Sequence, residues 1–500
     1  YPSFNYMNTP WETLSTTLAS GDPMTVVWRF YYTLIFNAHN LMDAVEAAEK
    51  DGIVFESSRY LYANALVYRA LAYMDLVRMY EFKKTGIAVL DREADQNNLW
   101  GITVPLVTQS TTGAEAQNNP RRMYYEMYRF ILTDLNKAED YLEGYVRSKK
   151  SRSDISVVQA YKARFWLELA TRFRKAPDDL ATQLSHENDP ELEHYDKLGI
   201  TTAQDCYNKA LEYSRKVINA GYTPLTRAQW HSITEGFNNS TKNSSWIFAT
   251  IIPGADAVGL GYYTFIGQMS PELNNGVAHA TYSVMMITPD LFNRIENNDW
   301  RKYTWIDPAD QGKAPDRNKY SSSFTDAEWI KYPSYANFKF RPMDGVRTVS
   351  KQGAAGHLPI IRVEEMYFIE AEALAYTQGL GAGINALESF MNTYRYEGGG
   401  YTCKGQDIEE FIKEDLITQK RIEFWGEGIL YYDYKRHGLP VTRGYPGTNY
   451  TMNARYNSQE GYGAPWFNFV IPRTGEISRN RGCKQNPDPN VSENVTLWSE

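Results

Sequence analysis

The chain has 500 residues, 43% hydrophobic and 22% charged, which suits a folded globular protein and exceeds the size at which one core usually stops growing. Its formal net charge of −8 argues against a phosphate-backbone partner, and no run of about 18 apolar residues is present to span a bilayer. Aromatic residues are in excess: 12 Trp, 38 Tyr and 21 Phe make up 14% of the chain, more than a core needs, and Tyr and Trp suit surfaces that are both flat and hydrogen-bonding.

Residues 1–23, with Pro2, Asn5, Asn8, Pro10, Gly21 and Pro23, read as an irregular lead-in. From Met24 the pattern turns helical, with Val27, Phe30, Tyr31, Leu34, Ile35, Ala38, Leu41, Met42 and Val45 on one apolar face, and Gly52 ends it. Ser58 is placed to cap the next helix, which carries Leu61, Ala65, Leu66, Tyr73, Leu76 and Val77. Two neighbouring helices of this length predict a tetratricopeptide-like pair. A polar insertion, Glu81 to Leu99, then delivers Trp100 on a loop, where a tryptophan has few core partners. Trp100 is therefore a candidate ligand platform; the alternative is that it pins its own loop.

Asn119 and Pro120 are expected as cap and first residue of a helix through Tyr124, Met127, Tyr128, Ile131, Leu135, Ala138 and Leu142. Its partner is expected to start near Ser153 or Ser156, and Thr202 to Ala220 is again helical, ending at Gly221. The stretch from Trp230 to Asp344 differs: Gly, Asn, Ser and Pro interrupt it, and only Thr288-Pro289-Asp290 to about Asn297 reads as a capped helix. Loops with dense aromatics on a helical frame are the usual place for binding, which makes Tyr262, Tyr263, Trp305 and Trp329 further candidates.

His357 to Tyr376 reads as an amphipathic helix entered through Pro359, broken by Gly379, Gly381 and Gly383. A helix through Ile384, Leu387, Phe390, Met391 and Tyr394 follows. Asp407 and Glu410 form a capping box for a third, expected to run to Tyr434 or beyond with a kink at Gly426 and Gly428.

Several of these segments together resemble a family. They are Tyr68-Arg69-Ala-Leu-Ala-Tyr73-x-Asp75-Leu76, Pro359-x-x-Arg362, Glu370-Ala-Glu372-Ala, Lys420-Arg-Ile-Glu423-Phe-x-Gly-Glu427-Gly, Asp433-x-Lys-Arg436, and Phe469-Val-Ile-Pro472-Arg-Thr-Gly-Glu476 with Asn480. In this order they are similar to the SusD/RagB proteins, surface nutrient-binding lipoproteins of Bacteroidota. Two features depart from the pattern: the long Glu81–Leu99 insertion, and Asn243-Ser-Ser-Trp246, which lacks a Glu often found there. The resemblance implies an all-α, tetratricopeptide-based SusD-like fold in three parts. These are a helical region at 1–229, a loop-rich ligand-binding region at 230–356 and a C-terminal helical region at 357–500. It also implies a SusC-like TonB-dependent transporter as partner, an outer-membrane, cell-surface location, and a lipid anchor upstream of Tyr1 as the sole membrane contact.

Catalytic groups are harder to find. Glu423 and Glu427 lie four apart on one predicted helix, but carboxylates on packed helices more often pair with arginines, here Arg362, Arg421 or Arg436. The seven histidines form no metal motif, no nucleophile elbow or phosphate loop appears, and no cofactor is expected. Cys206, Cys403 and Cys483 are far apart and leave at least one thiol unpaired. The expected function is non-enzymatic glycan capture for the transporter. Rings on Trp100, Tyr262, Tyr263, Trp305 and Trp329 would cover apolar sugar faces while neighbouring polar groups bond the hydroxyls. The alternatives are a RagB-like peptide binder, a helical glycoside hydrolase using Glu423 and Glu427, and a cytoplasmic tetratricopeptide scaffold.

Overall fold

Met24, Trp28, Ile35, Ala38, Met42 and Val45 recur at helical spacing and are all buried, forming the inner stripe of α1 (Pro23–Lys50). The computed structural model describes residues 23–53, 56–254, 264–273, 284–314, 316–320, 325–450, 452 and 455–489. After α1 come α2 (Glu56–Tyr80), α3 (Ala88–Gln96), α4 (Tyr124–Tyr141), α5 (Ile155–Lys175) and α6 (Ala203–Ile218). The chain then leaves for the loop-rich middle and returns as α7 (Val363–Gln378) and α8 (Leu380–Tyr394). α1 packs on α2, α2 on α4, α5 on α6, and α7 on both α6 and α8, which is the expected helix-pair scaffold. One core joins α1, α2, α4, α5, α6 and α7, so the two ends of the chain share their apolar interior.

Among the described residues four short strands make two ribbons. β1 (Ile102–Pro105) runs antiparallel to β2 (Arg121–Met123), and β3 (Trp246–Thr250) to β4 (Leu358–Arg362), with Trp246 opposite Arg362. Both ribbons correct an expectation. The helix predicted from Asn119-Pro120 begins only at Tyr124, because Arg121 is drawn into β2: its guanidinium donates to the carbonyls of Thr103 and Tyr80 and to Asn486 Oδ1, each at 2.8 Å. The helix predicted from His357 begins at Val363, because residues 358–362 pair with β3 instead.

At the next boundary Gly379 alone breaks the helix, with φ of 95°. Gly381 and Gly383 lie inside α8, and a Cβ at Gly383 would sit 2.6 Å from Ala375 Cβ, so glycine permits the close α7–α8 approach. The predicted long helix is capped by Asp407, whose carboxylate accepts from Glu410 N at 2.9 Å. It contains a π-helical turn at Phe411–Leu416, continues as α9 (Ile417–Glu423), and stops. Gly426 and Gly428, with φ of 77° and 83°, turn the chain before α10 (Leu430–His437), a full break in place of a kink.

The break is tied down by buried charge. Glu423 accepts from Arg395 Nε at 2.8 Å, Arg301 Nη1 at 2.9 Å and Arg362 Nη1 at 3.2 Å, and all four side chains are fully buried. Glu427 takes a fork from Arg362 at 2.8 and 2.9 Å and pairs with Lys339 Nζ at 2.5 Å. Burial pushes the Glu423 carboxyl up, but Arg395, Arg362 and Arg301 outweigh it and hold it far below the usual carboxylate range. The expected pairing with Arg362 is present. Arg436 instead joins Glu372 and Asp433, and Arg421 approaches Asp290 at 4.0 Å.

Removing the Glu423 charge takes a shared carboxylate from three buried guanidinium groups, which keep Asp299, Glu364 and Glu427 between them, so Glu423→Gln is expected to cost about 3 kcal/mol, read from the denaturant midpoint; a loss below about 1 kcal/mol would contradict the role of this carboxylate. Acid should act in two stages. Burial and then Arg69 pull His39 from 6.5 to about 4, and burial and then Arg341 pull His231 to about 3. Both stay neutral when folded, so the unfolded chain binds more protons and stability falls once pH drops below about 6.5. Burial raises Glu81, but Arg172 and Lys83 bring it from 4.5 to about 2. Its stabilisation is complete above 4.5 and is lost as pH falls toward 2. A melting temperature that stays flat from pH 7 to pH 4.5 would refute the histidine stage.

Candidate ligand-binding site

The turn between α9 and α10 forms the wall of a cleft of about 1060 Å³. Opposite it lie Met285 to Arg294 of the middle region and the loop from Leu439 to Tyr450. Trp425 stands in that turn, half-buried, in a T-shaped contact with Trp305 at 5.8 Å between ring centroids and 81° between planes. Tyr434 and Tyr445 add half-buried rings, and Tyr450, Met285 and Met286 are more than a third exposed.

Polar groups sit between the rings. Arg294 reaches Asp290 at 3.4 Å and Glu414 at 3.3 Å, long contacts between partly exposed side chains that leave hydrogen-bonding capacity to spare. The Arg443 guanidinium lies 5.3 Å from the Tyr450 ring centroid, and Asn449 is anchored by donating to Ile287 O at 3.0 Å. Flat apolar faces flanked by under-used donors and acceptors match a ligand with apolar C–H faces and many hydroxyls.

The aromatic residues singled out in the sequence are not gathered into one shelf. Trp305 is fully buried among Ile287, Leu291, Phe292, Ile295 and Ile422, so its part is to back Trp425 and not to meet a ligand. Trp329 is 1% exposed, packed on Tyr320 and Phe338, and no stacking face is left to it either. Both are corrected for one reason: in a region with little regular structure, large rings are what the local cores are built from. Tyr262 and Tyr263 lie outside the described residues. Trp100 is 38% exposed, presented by a turn in which Asn98 and Gly101 have φ of 50° and 76°. Its indole N–H donates to Asp95 at 2.6 Å and its ring makes a T-shaped contact with Phe82, so it pins the turn and still offers surface.

Sequence reasoning missed Trp425, Tyr434, Tyr445 and Tyr450. Trp425 sits within a motif read as scaffold; the glycine on either side of Glu427, at 426 and 428, was the available sign that the helix stops and its ring turns outward. Glu423 and Glu427, the carboxylates a hydrolase would need, are saturated by buried cations, and the Glu423 side chain is fully buried.

Two family models match the chain: the one described as "Starch-binding associating with outer membrane" over residues 4–167, and the one described as "SusD family" over residues 247–488. Among solved structures, a SusD-like carbohydrate binding protein from Bacteroides vulgatus ATCC 8482 is 21% identical, with 97% of this chain and 87% of that chain covered and a TM-score of 0.62. A SusD superfamily protein from Bacteroides thetaiotaomicron VPI-5482 is 17% identical over 92% of this chain and 85% of that chain, with a TM-score of 0.60. A laminarin binding SusD-like protein is 17% identical over 93% and 86%, with a TM-score of 0.55. No curated protein matches. With residues 4–167 and 247–488 matched by these models and its helical scaffold shared with these structures, the chain belongs to the SusD family.

Proposed function

We propose that this protein captures an oligosaccharide at the cell surface and hands it to a TonB-dependent outer-membrane transporter, without catalysing a reaction. The observation that carries the binding step is the cleft: Trp425, Tyr434 and Tyr450 supply flat faces, and Arg294, Asp290 and Arg443 supply hydroxyl partners between them. Trp100 and the Tyr262–Tyr263 pair belong to the same proposal as additional sugar contacts. The laminarin-binding relative supports a glucan as the first ligand to try. Every hydroxyl must give up water before it is bonded, which sets a millimolar-to-micromolar affinity, about 4–8 kcal/mol.

The handover needs a docking face. On α1, Val26, Phe30 and Phe36 are 52%, 56% and 62% exposed, although periodicity alone placed Phe30 on the inner face. Exposed apolar groups on one helix mark a surface that a partner covers. No helix among the described residues is long and apolar enough to cross a membrane, and an acyl chain on a cysteine upstream of Tyr1 would supply the attachment.

Calorimetry with laminarin, starch and a peptide library tests the ligand class. Trp425→Ala and Tyr450→Ala should each weaken glycan binding about tenfold while leaving the melting temperature within a few degrees. Trp305→Ala should instead destabilise by about 3–5 kcal/mol. Binding of peptides and of no glycan would replace this reading with a RagB-like one. For the handover, co-purification of the partner barrel should fall sharply with Phe30→Ser plus Phe36→Ser; undiminished recovery would move the interface elsewhere.

A further inference from the structure

Gly426 belongs to the wall of two cavities. One is the aromatic cleft; the other, of about 400 Å³, runs inward among α1, α2, α5, β4 and α10. Its rim includes Thr250, Gly426 and Gly428, all exposed, with the half-buried ring of Phe265. Its inner wall is ionic. Arg78 pairs with Asp75 at 2.5 Å, Arg164 with Glu365 at 2.5 Å, Arg436 with Glu372 at 2.5 Å, and Lys420 with Asp433 at 2.5 Å. Tyr31 donates to Asp75 at 2.9 Å. One carboxylate in this wall is left over: Glu168 of α5 has no hydrogen bond or ion pair among the described residues.

A half-buried carboxylate without a partner, set in a wall where the other charges are paired, is costly to keep partly out of water and stays open to a ligand's donors. Burial raises the Glu168 carboxyl, while Arg78 and Arg436 oppose that at longer range. A metal cation would want several free oxygens, and the other carboxylates here are already claimed by guanidinium or ammonium groups. A sugar acid would be repelled by Glu168. A neutral sugar ring fits: its hydroxyls donate to Glu168, and the cavity is at the small end of the roughly 300–1,000 Å³ typical of small-molecule sites.

We propose that this cavity is an inner subsite that takes one neutral terminal sugar unit of the bound chain, with Glu168 accepting from its hydroxyls. The inference rests on the glycan-capture reading and extends it: the cleft grips the body of the chain through rings, and the cavity reads its end. Thr250 and the Gly426–Gly428 turn stand at the point where the chain would enter.

Calorimetry and ligand-observed NMR on the whole protein, with glucose, laminarin oligosaccharides and glucuronic acid, test it against Glu168→Gln and Thr250→Trp. Glu168→Gln should weaken glucose and oligosaccharide binding about tenfold and raise the melting temperature, because it removes an unpaired charge. A structural ion-pairing role would lower the melting temperature instead. Thr250→Trp should block free glucose, and glucuronic acid should not bind. Oligosaccharide binding that persists unchanged in folded Glu168→Gln and Thr250→Trp overturns the subsite and leaves the cleft reading standing. Absence of any sugar binding by the unaltered protein overturns both.

Discussion

A carboxylate taken out of water must find cations, and Glu423 finds three: Arg301 from the middle region, Arg362 at the end of β4, and Arg395 just after α8. These come from segments far apart in sequence, so the pairing cannot form until the middle region, the β3–β4 ribbon and the C-terminal helices have met. Four residues on, beyond the end of α9, Glu427 returns to Arg362, and Lys339 bonds the carbonyls of Glu423 and Trp425 at 2.8 and 2.9 Å. The backbone around Trp425 is therefore held at both ends by buried charge. A ring at such a point keeps its orientation without help from a ligand, which lowers the ordering cost of binding.

The same turn separates two environments of different chemistry. On one side is an open cleft of rings with loosely paired charges; on the other is a narrow cavity whose charges are tightly paired apart from Glu168. Gly426 makes this division possible, because its φ is positive and a Cβ there would lie 2.6 Å from the Phe340 ring. Trp305 explains the remaining geometry. It is buried behind Trp425, and the two rings act as a buttress and a working face.

The helical scaffold could be read from the chain alone because its signals are local. The buried residues of α1 repeat at helical spacing, Thr202 and Asp205 form a capping box at α6, Asp407 caps the last long segment, and Gly379 ends α7. The family, too, was written in short motifs whose residues serve that scaffold. Ribbon pairing was not readable: residues 121–123 and 358–362 carry the composition of helix starts, and partners in β1 and β3 claim them.

The binding surface needed tertiary structure for the same reason. Exposure belongs to packing, not to residue type. Trp305, Trp329 and Trp425 look equally available as letters, and the first two fill small cores while the third faces a cleft. Glu168 and Glu365 are likewise indistinguishable until the fold brings Arg164 to one and leaves the other alone. Sequence by itself determined most of the helices, the pairing of the first two and the family, since their signals lie in caps, periodicity and short motifs. Only the assembled molecule decided which rings meet solvent and which carboxylate lacks a cation, because both depend on tertiary packing, much of it between segments far apart in the chain.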